Sequence, residues 1–148
     1  QGMKNASNSA TPTGSSGFPR ILYLEHGDRP MVFICSPYAG CVKGNVRNAR
    51  QYSRFAYLSG YMPITPHLMY PLFLDDKQTK ERQDGMDMGL RLLDLCEELW
   101  VFGDRYSNGM QREIAHAIAR CMTIRYFDED GNEVRQIKRA GDSKGKSV

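Results

Sequence analysis

The sequence predicts an α/β fold, a flavodoxin/Rossmann-like three-layer sandwich on a mainly parallel sheet of four to five strands. Three observations carry this. Residues 31–35 (Met-Val-Phe-Ile-Cys) and 99–102 (Leu-Trp-Val-Phe) are short continuous apolar runs, the pattern of strands buried on both faces. The stretches between the runs repeat their apolar residues at helical spacing. Strand and helix patterns alternate along the chain, which calls for parallel pairing with right-handed crossovers.

Gln1-Gly2 ahead of Met3 reads as a tag scar, and residues 3–17 are Ser/Thr/Gly-rich, a composition that predicts a flexible tail. A single domain is expected over 18–138. Residues 21–24 suggest a short edge strand. The run 31–35 is a central strand that ends at Ser36-Pro37. After Gly40 and Gly44-Asn45 comes a helix with Val46, Ala49, Tyr52 and Ala56 on one face, stopped near Gly60. Residues 62–66 form a second strand, whose prolines suggest an edge or an end. The aromatic-rich stretch 66–76 is too long for a plain connector, and loops of that kind often serve as lids or binding elements.

A second helix is expected over 79–95, with Met86, Leu90 and Leu93 inward, and a third strand over 97–103. The next helix carries Met110, Ile114, Ala117, Ile118 and Cys121 at helical spacing. A last strand over 122–127 runs into a turn at 128–133. Residues 139–148 read as a flexible basic tail. Within it Gly141-Asp142-Ser143-Lys144-Gly145-Lys146-Ser147 imitates a phosphate-binding loop, but it has three residues between its glycines where that loop has four.

The chain has 148 residues, 41% hydrophobic and 25% charged, as in an ordinary globular domain. A net charge of +3 with dispersed basic residues gives no case for a nucleic-acid partner. No apolar run approaches the roughly 20 residues of a membrane span, so no membrane is expected. Cys35, Cys41, Cys96 and Cys121 form no Cys-x-x-Cys pair. They are expected to be free thiols, mostly buried, in a cytoplasmic protein. The clustered Cys/His spacing of a zinc site is missing, so no metal is expected.

The chemistry is concentrated behind the third strand. Gly103 leads into Tyr106-Ser107-Asn108-Gly109-Met110, and the helix that opens there carries Glu113. In an open α/β sheet, ligands bind outside the carboxyl ends of the strands, beside the free N–H groups of helix starts. A carboxylate there can act as a nucleophile at an acetal-like carbon. An isolated early-helix glutamate is usually solvated; the strand, glycine and serine around Glu113 set it apart. His67 either touches a ligand or is a buried histidine shaping its loop. His116 either modulates Glu113 or faces solvent. Arg82 either pairs with Glu81, reaches the crevice as an anion contact, or is solvated. Trp100 reads as core.

These residues resemble the nucleoside 2-deoxyribosyltransferase-like superfamily, and within it an uncharacterised bacterial and phage domain-of-unknown-function group of DUF4406-like type. The likeness is carried by Phe33-Ile34-Cys35-Ser36-Pro37-Tyr38-Ala39-Gly40, by Asn45…Ala49…Tyr52…Ala56 and by Gly60-Tyr61-Met62-Pro63-Ile64-Thr65-Pro66-His67. Glu81-Arg82…Gly85, the strand 96–103 and Ser107-Asn108-Gly109-Met110…Glu113 complete it. The resemblance implies that Glu113 is a nucleophile attacking C1′ of a (deoxy)ribosyl group, with an acid at Asp87, or Asp84, at the base. It implies ligand contacts at Ser107 and in the Ser36–Gly44 loop; the full set of candidate contacts is Ser36, Pro37, Tyr38, Gly40, Asn45, His67, Arg82, Gly103, Ser107, Asn108, Gly109 and Met110. Phe33 stands where relatives often carry tyrosine, and Ser36-Pro37-Tyr38 replaces a glycine-richer loop.

The expected activity is hydrolysis or transfer at the N-glycosidic bond of a nucleoside or nucleotide, without a cofactor. The alternatives are a non-catalytic protein that senses or sequesters a nucleotide-derived ligand, and an oligomeric housekeeping protein with an incidental crevice. Relatives are dimers or larger, so a homo-oligomer is expected, with Tyr70, Phe73 and Tyr106 suited to its interface.

Overall fold

The computed structural model describes residues 29–135. The expected strand at 21–24, the tails 1–17 and 139–148 and the Gly141–Ser147 imitation lie outside the described residues. Five strands, β1 (Met31–Cys35), β2 (Met62–Ile64), β3 (Glu98–Phe102), β4 (Thr123–Phe127) and β5 (Glu133–Val134), alternate with α1 (Val42–Leu58), α2 (Thr79–Leu93) and α3 (Asn108–Ala119). The sheet order is β2-β1-β3-β4-β5. The first four strands pair in parallel, and β5 folds back antiparallel on β4. The predicted α/β class holds.

β1 and β3 are the inner strands, and from Val32 to Cys35 and Leu99 to Phe102 every residue is buried. Their uninterrupted apolar runs follow from having neighbours on both faces. Val32, Ile34, Trp100, Phe102 and Phe127 pack under α1, against Tyr52 and Ala56. Phe33, Cys35, Leu99 and Val101 pack on the other face, against Leu93 of α2 and Met110 and Ala117 of α3. β2 is an edge strand, where Pro63 removes no needed ladder bond.

Several boundaries move. α1 starts at Val42, so Gly44 and Asn45 lie in its first turn, where the bare Gly44 leaves room for Cys41 Sγ. α2 stops at Leu93, two residues short of expectation. The 66–76 stretch contains two short 3-10 turns, Pro66–Leu68 and Tyr70–Leu72. Of the four free cysteines, Cys35 and Cys96 are buried while Cys41 and Cys121 are exposed. The latter two sit in the turns before α1 and after α3, so apolar neighbours in sequence do not bury them.

Among the described residues no helix is long and apolar enough to cross a membrane, and no group of three or more His, Cys, Asp or Glu could hold a metal ion.

Candidate active site

The sheet order places a switch point between β1 and β3. The chain leaves β1 toward β2 on one side, then crosses back to β3 on the other. The connections leaving the two strands therefore diverge, and a crevice opens at their carboxyl ends. A cavity of about 770 Å³ lies there, lined by Tyr38 and Ala39 after β1, by the Pro66–Leu74 stretch, by α2 and by Ser107–Glu113.

Ser107 caps α3: its Oγ accepts from the Met110 N–H at 3.3 Å, satisfying one of the free donors of the first turn. Met110, Ile114 and Ala117 pack on the core, which leaves Glu113 at the crevice. Glu113 Oε2 is shielded from solvent and has no hydrogen-bond partner. Burial pushes its carboxyl pKa up to about 7, against a smaller opposing effect of a hydrogen bond from the Cys35 thiol. Cys35 is the last residue of β1 and is wholly buried. Burial, then the charge of Glu113, hold its thiol well above its ordinary pKa.

Tyr38 and His67 stack with ring centroids 5.5 Å apart and planes at 17°. Both line the cavity. Burial lowers the His67 pKa, partly offset by a hydrogen bond to the Ser36 backbone and by Asp76. Arg82 also lines the cavity, with its Nε 3.9 Å from Asp76 Oδ1. Asp76 and Glu81 are acidic members of the lining. The sequence reading had Glu81 only as a motif residue and a partner for Arg82, and it missed Asp76, which comes from a loop that no short motif marks.

Of the expected contacts, Glu113, Tyr38, His67, Arg82, Ser107, Asn108 and Gly109 come together around this cavity. Pro37, Asn45, Gly103 and again Ser107 line a second, more open hollow of about 660 Å³ beside it. Gly40 (φ +92°) and Gly103 (φ +93°) make left-handed turns after β1 and β3. Met110 is core. Ser36 lies 1% exposed beneath the loop, with its Oγ unpartnered. Asn45 also braces the loop: its Nδ2 donates to the Tyr38 and Ala39 carbonyls, both at 3.0 Å, tying the loop to α1.

Asp87 does not line the cavity. It is exposed on α2, accepting from Gln83 Nε2 at 2.8 Å and from Arg112 Nη2 at 3.2 Å. Gln83 and Arg112 hold its carboxyl below the usual range. The family resemblance suggested it, but on α2 its carboxyl pairs with Gln83, one turn earlier. Asp84 pairs with Lys80 at 2.9 Å. His116 lies 2.6 Å from Asp94 Oδ1, and Arg120 joins the same carboxylate at 3.0 Å; that pairing is how His116 is held. Trp100 is core, as expected.

A family model for a domain of unknown function, DUF7768, matches residues 30–127. The match does not carry the DUF4406-like label to which the sequence was likened. No curated protein matches the chain. Among solved structures, the chain is similar to a 2-deoxyribosyltransferase from Bacillus psychrosaccharolyticus, with 16% identity and a TM-score of 0.53 over 71% of this chain and 77% of that one. It is also similar to a 2-deoxyribosyltransferase from Leishmania mexicana, with 16% identity and a TM-score of 0.39 over 67% of this chain and 64% of that one. At such identity the first likeness speaks for the fold.

Proposed function

The chain belongs to the DUF7768 domain family, and from that premise we propose that it cleaves or transfers at the N-glycosidic bond of a nucleoside or nucleotide, with Glu113 as nucleophile. The observation that carries this reading is the shielded, unpartnered Glu113 Oε2 at the switch-point crevice. An uncompensated carboxylate in a low-dielectric site is complementary to the positive charge that develops at C1′ as the base departs. A carboxylate oxygen forms a bond to C1′, the C1′–N bond breaks, and the electron pair leaves with the base, which takes up a proton. Water then releases free sugar, or a second base releases a new nucleoside. The fold it shares with a 2-deoxyribosyltransferase supports the reading.

Within this proposal the stacked Tyr38–His67 pair offers an apolar wall to a planar base. Asp76 and Glu81 take the acidic role at the base that the sequence had given to Asp87. No cofactor enters the scheme.

The test is chromatography after incubation with nucleosides, 2′-deoxynucleosides, their 5′-monophosphates, NAD and ADP-ribose. Wild type releases free base, and Glu113→Gln falls by roughly 10³-fold or more while keeping its fold. Undiminished turnover in that variant overturns the mechanism. The solvent-facing Asp87 favours one rival, a protein that holds the ligand without cleaving it. Saturable binding with no product over hours supports that rival instead.

A homo-oligomer belongs to the same proposal. Phe73 is 63% and Leu72 84% exposed in the 66–76 stretch, although Tyr70 is half-buried and packs edge-on against Phe73 at 5.9 Å. A monomer by light scattering at assay concentration removes it.

A further inference from the structure

We propose that Gly89 is a specificity-determining position, where the bare backbone of α2 keeps open a slot that receives the planar base of the ligand. The proposal rests on the reading of the crevice as a nucleoside site, and its test reads binding apart from cleavage.

The slot follows from the helix period. Arg82, Gly85, Met86, Gly89 and Leu90 lie three or four residues apart and set one face of α2 against the cavity. Leu90 packs on the core, and Leu93, one turn beyond Gly89, is fully buried. Gly89 therefore sits toward the inner end of that face. It is buried itself, yet a Cβ there would meet no atom of the described residues within 4 Å.

The fold does not otherwise call for glycine at this position. A helix interior disfavours it relative to alanine. Gly40 and Gly103 turn the chain at left-handed φ, and at Gly85 a Cβ would meet Leu74 Cδ1 at 3.3 Å. Gly89, inside α2, has neither cause. Space beside a buried residue is normally filled, so a void kept there fits an occupant that is not part of the chain. An independent observation points to the same occupant. Glu113 Oε2, in the lining of the same cavity, is shielded and has no hydrogen-bond partner among the described residues.

The lining decides which part of a nucleoside belongs beside Gly89. Gly85, Met86 and Leu90 bring no charged or hydroxyl side chain to this face of α2. The 66–76 stretch meets α2 where Leu74 lies over Gly85, and its lining residues Pro66, Tyr70 and Pro71 are apolar or aromatic. Polar partners for sugar hydroxyls stand instead at Ser107 and Asn108, at the start of α3. A flat, largely apolar ring face suits the α2 side, where no side chain separates it from the helix backbone. A side chain at position 89 would project into the space that the ring needs.

The experiment follows amide ¹H–¹⁵N spectra of the full chain during titration with adenine, cytosine, 2′-deoxyadenosine and ribose 5-phosphate. It uses wild type, Gly89→Ala and Gly89→Leu. In wild type the base-bearing probes shift the Gly89 amide strongly, through the ring current of the bound base, and ribose 5-phosphate does not. Gly89→Ala raises the Tm of the unliganded protein by roughly 2–5 °C, because alanine suits the helix and meets no neighbour. The same change weakens Kd for the base-bearing probes by roughly tenfold, and Gly89→Leu weakens it further. Any affinity for ribose 5-phosphate stays as in wild type.

Wild-type affinity for the bases in both variants overturns the proposal. So does a Gly89 amide that a bound base leaves unmoved, or a wild type that binds none of the base-bearing probes. A Tm of Gly89→Ala below wild type overturns it too, since the fold itself would then need the glycine. Should the leucine variant fail to fold, the alanine variant decides. If base binding depends on position 89 and 2′-deoxyadenosine is never cleaved, the slot stands and the glycosidic reading fails. If base is released, and both variants release it at the wild-type kcat/KM, the glycosidic reading stands and the slot fails.

Discussion

Two regions of the molecule treat their polar groups in opposite ways. Under α1 the sheet presents its aromatic side, and there the polar groups have partners. Trp100 Nε1 donates to Glu98 Oε2 at 2.7 Å. The Arg125 guanidinium lies over the Trp100 and Phe127 rings at 4.7 and 5.2 Å, held by two bonds to Glu133 at 2.9 and 2.8 Å. At the carboxyl ends of the strands the pattern reverses. Both buried side-chain atoms without a partner among the described residues, Ser36 Oγ and Glu113 Oε2, are there. A buried unsatisfied polar group costs about 1–3 kcal/mol. The fold tolerates that cost beside the crevice and avoids it under α1, which separates a face that holds the sheet together from an end that is free to do chemistry.

The largest effect that sharpens this contrast is Trp100→Ala. Trp100 is 1% exposed and touches Phe55, Tyr61 and Phe127, with centroid separations of 5.7, 4.7 and 4.9 Å. Its truncation is expected to cost about 3–5 kcal/mol, read as the denaturant midpoint at constant slope. Ligand affinity of the folded fraction should stay unchanged, because Trp100 faces away from the crevice. A mild loss of stability with a large loss of affinity breaks the division between face and end.

Next in size is the pH dependence of stability. The Glu113 carboxyl titrates at about 7 in the fold, against 4.5 in the unfolded chain. The folded state therefore holds the proton more tightly. The contribution of Glu113 is fully present below pH 4.5 and is lost as pH rises through 7. That displacement corresponds to about 3 kcal/mol. Glu113→Gln should match wild type near pH ~4 and exceed its stability near pH ~8. His67, whose pKa burial lowers, works oppositely: its stability is lost as pH falls below its unfolded pKa of 6.5. The difference between wild type and Glu113→Gln cancels that effect. A difference that stays flat across this range means that Glu113 is not shielded.

What is legible in the sequence follows the same division. β1 and β3 are readable because burial on both faces writes an unbroken apolar run. α1 and α3 are readable because one-sided burial writes a helical period. Glu113 stands out by its place after a strand, a glycine and a serine cap. The remainder depends on directions and distances that a linear pattern does not contain. Asp87 has the right spacing from Glu113, yet its side chain bonds along α2 to Gln83 and across to Arg112. β5 is two residues long, too short for alternation to mark it. The approach of Cys35 Sγ to the Met110 carbonyl oxygen, at 4.0 Å, joins residues far apart in sequence, through the register of β1 against β3 and the packing of α3 over them.

The smallest effect tests the seam between the two regions. Asn45 was expected as a ligand contact, but both of its Nδ2 bonds, to Tyr38 O and Ala39 O at 3.0 Å, run to the loop that walls the crevice. Asn45→Ala removes two partly exposed hydrogen bonds, a loss of about 1 kcal/mol in stability. It should also loosen Tyr38 from its stack on His67, so that KM, or Kd for an uncleaved ligand, rises several-fold while kcat holds. Each half can fail separately. A stability loss with unchanged affinity makes the tie structural and leaves Tyr38 without a part in binding. An affinity loss at full stability returns Asn45 to direct ligand contact, because a side chain that only braced the loop could not be removed without cost to the fold.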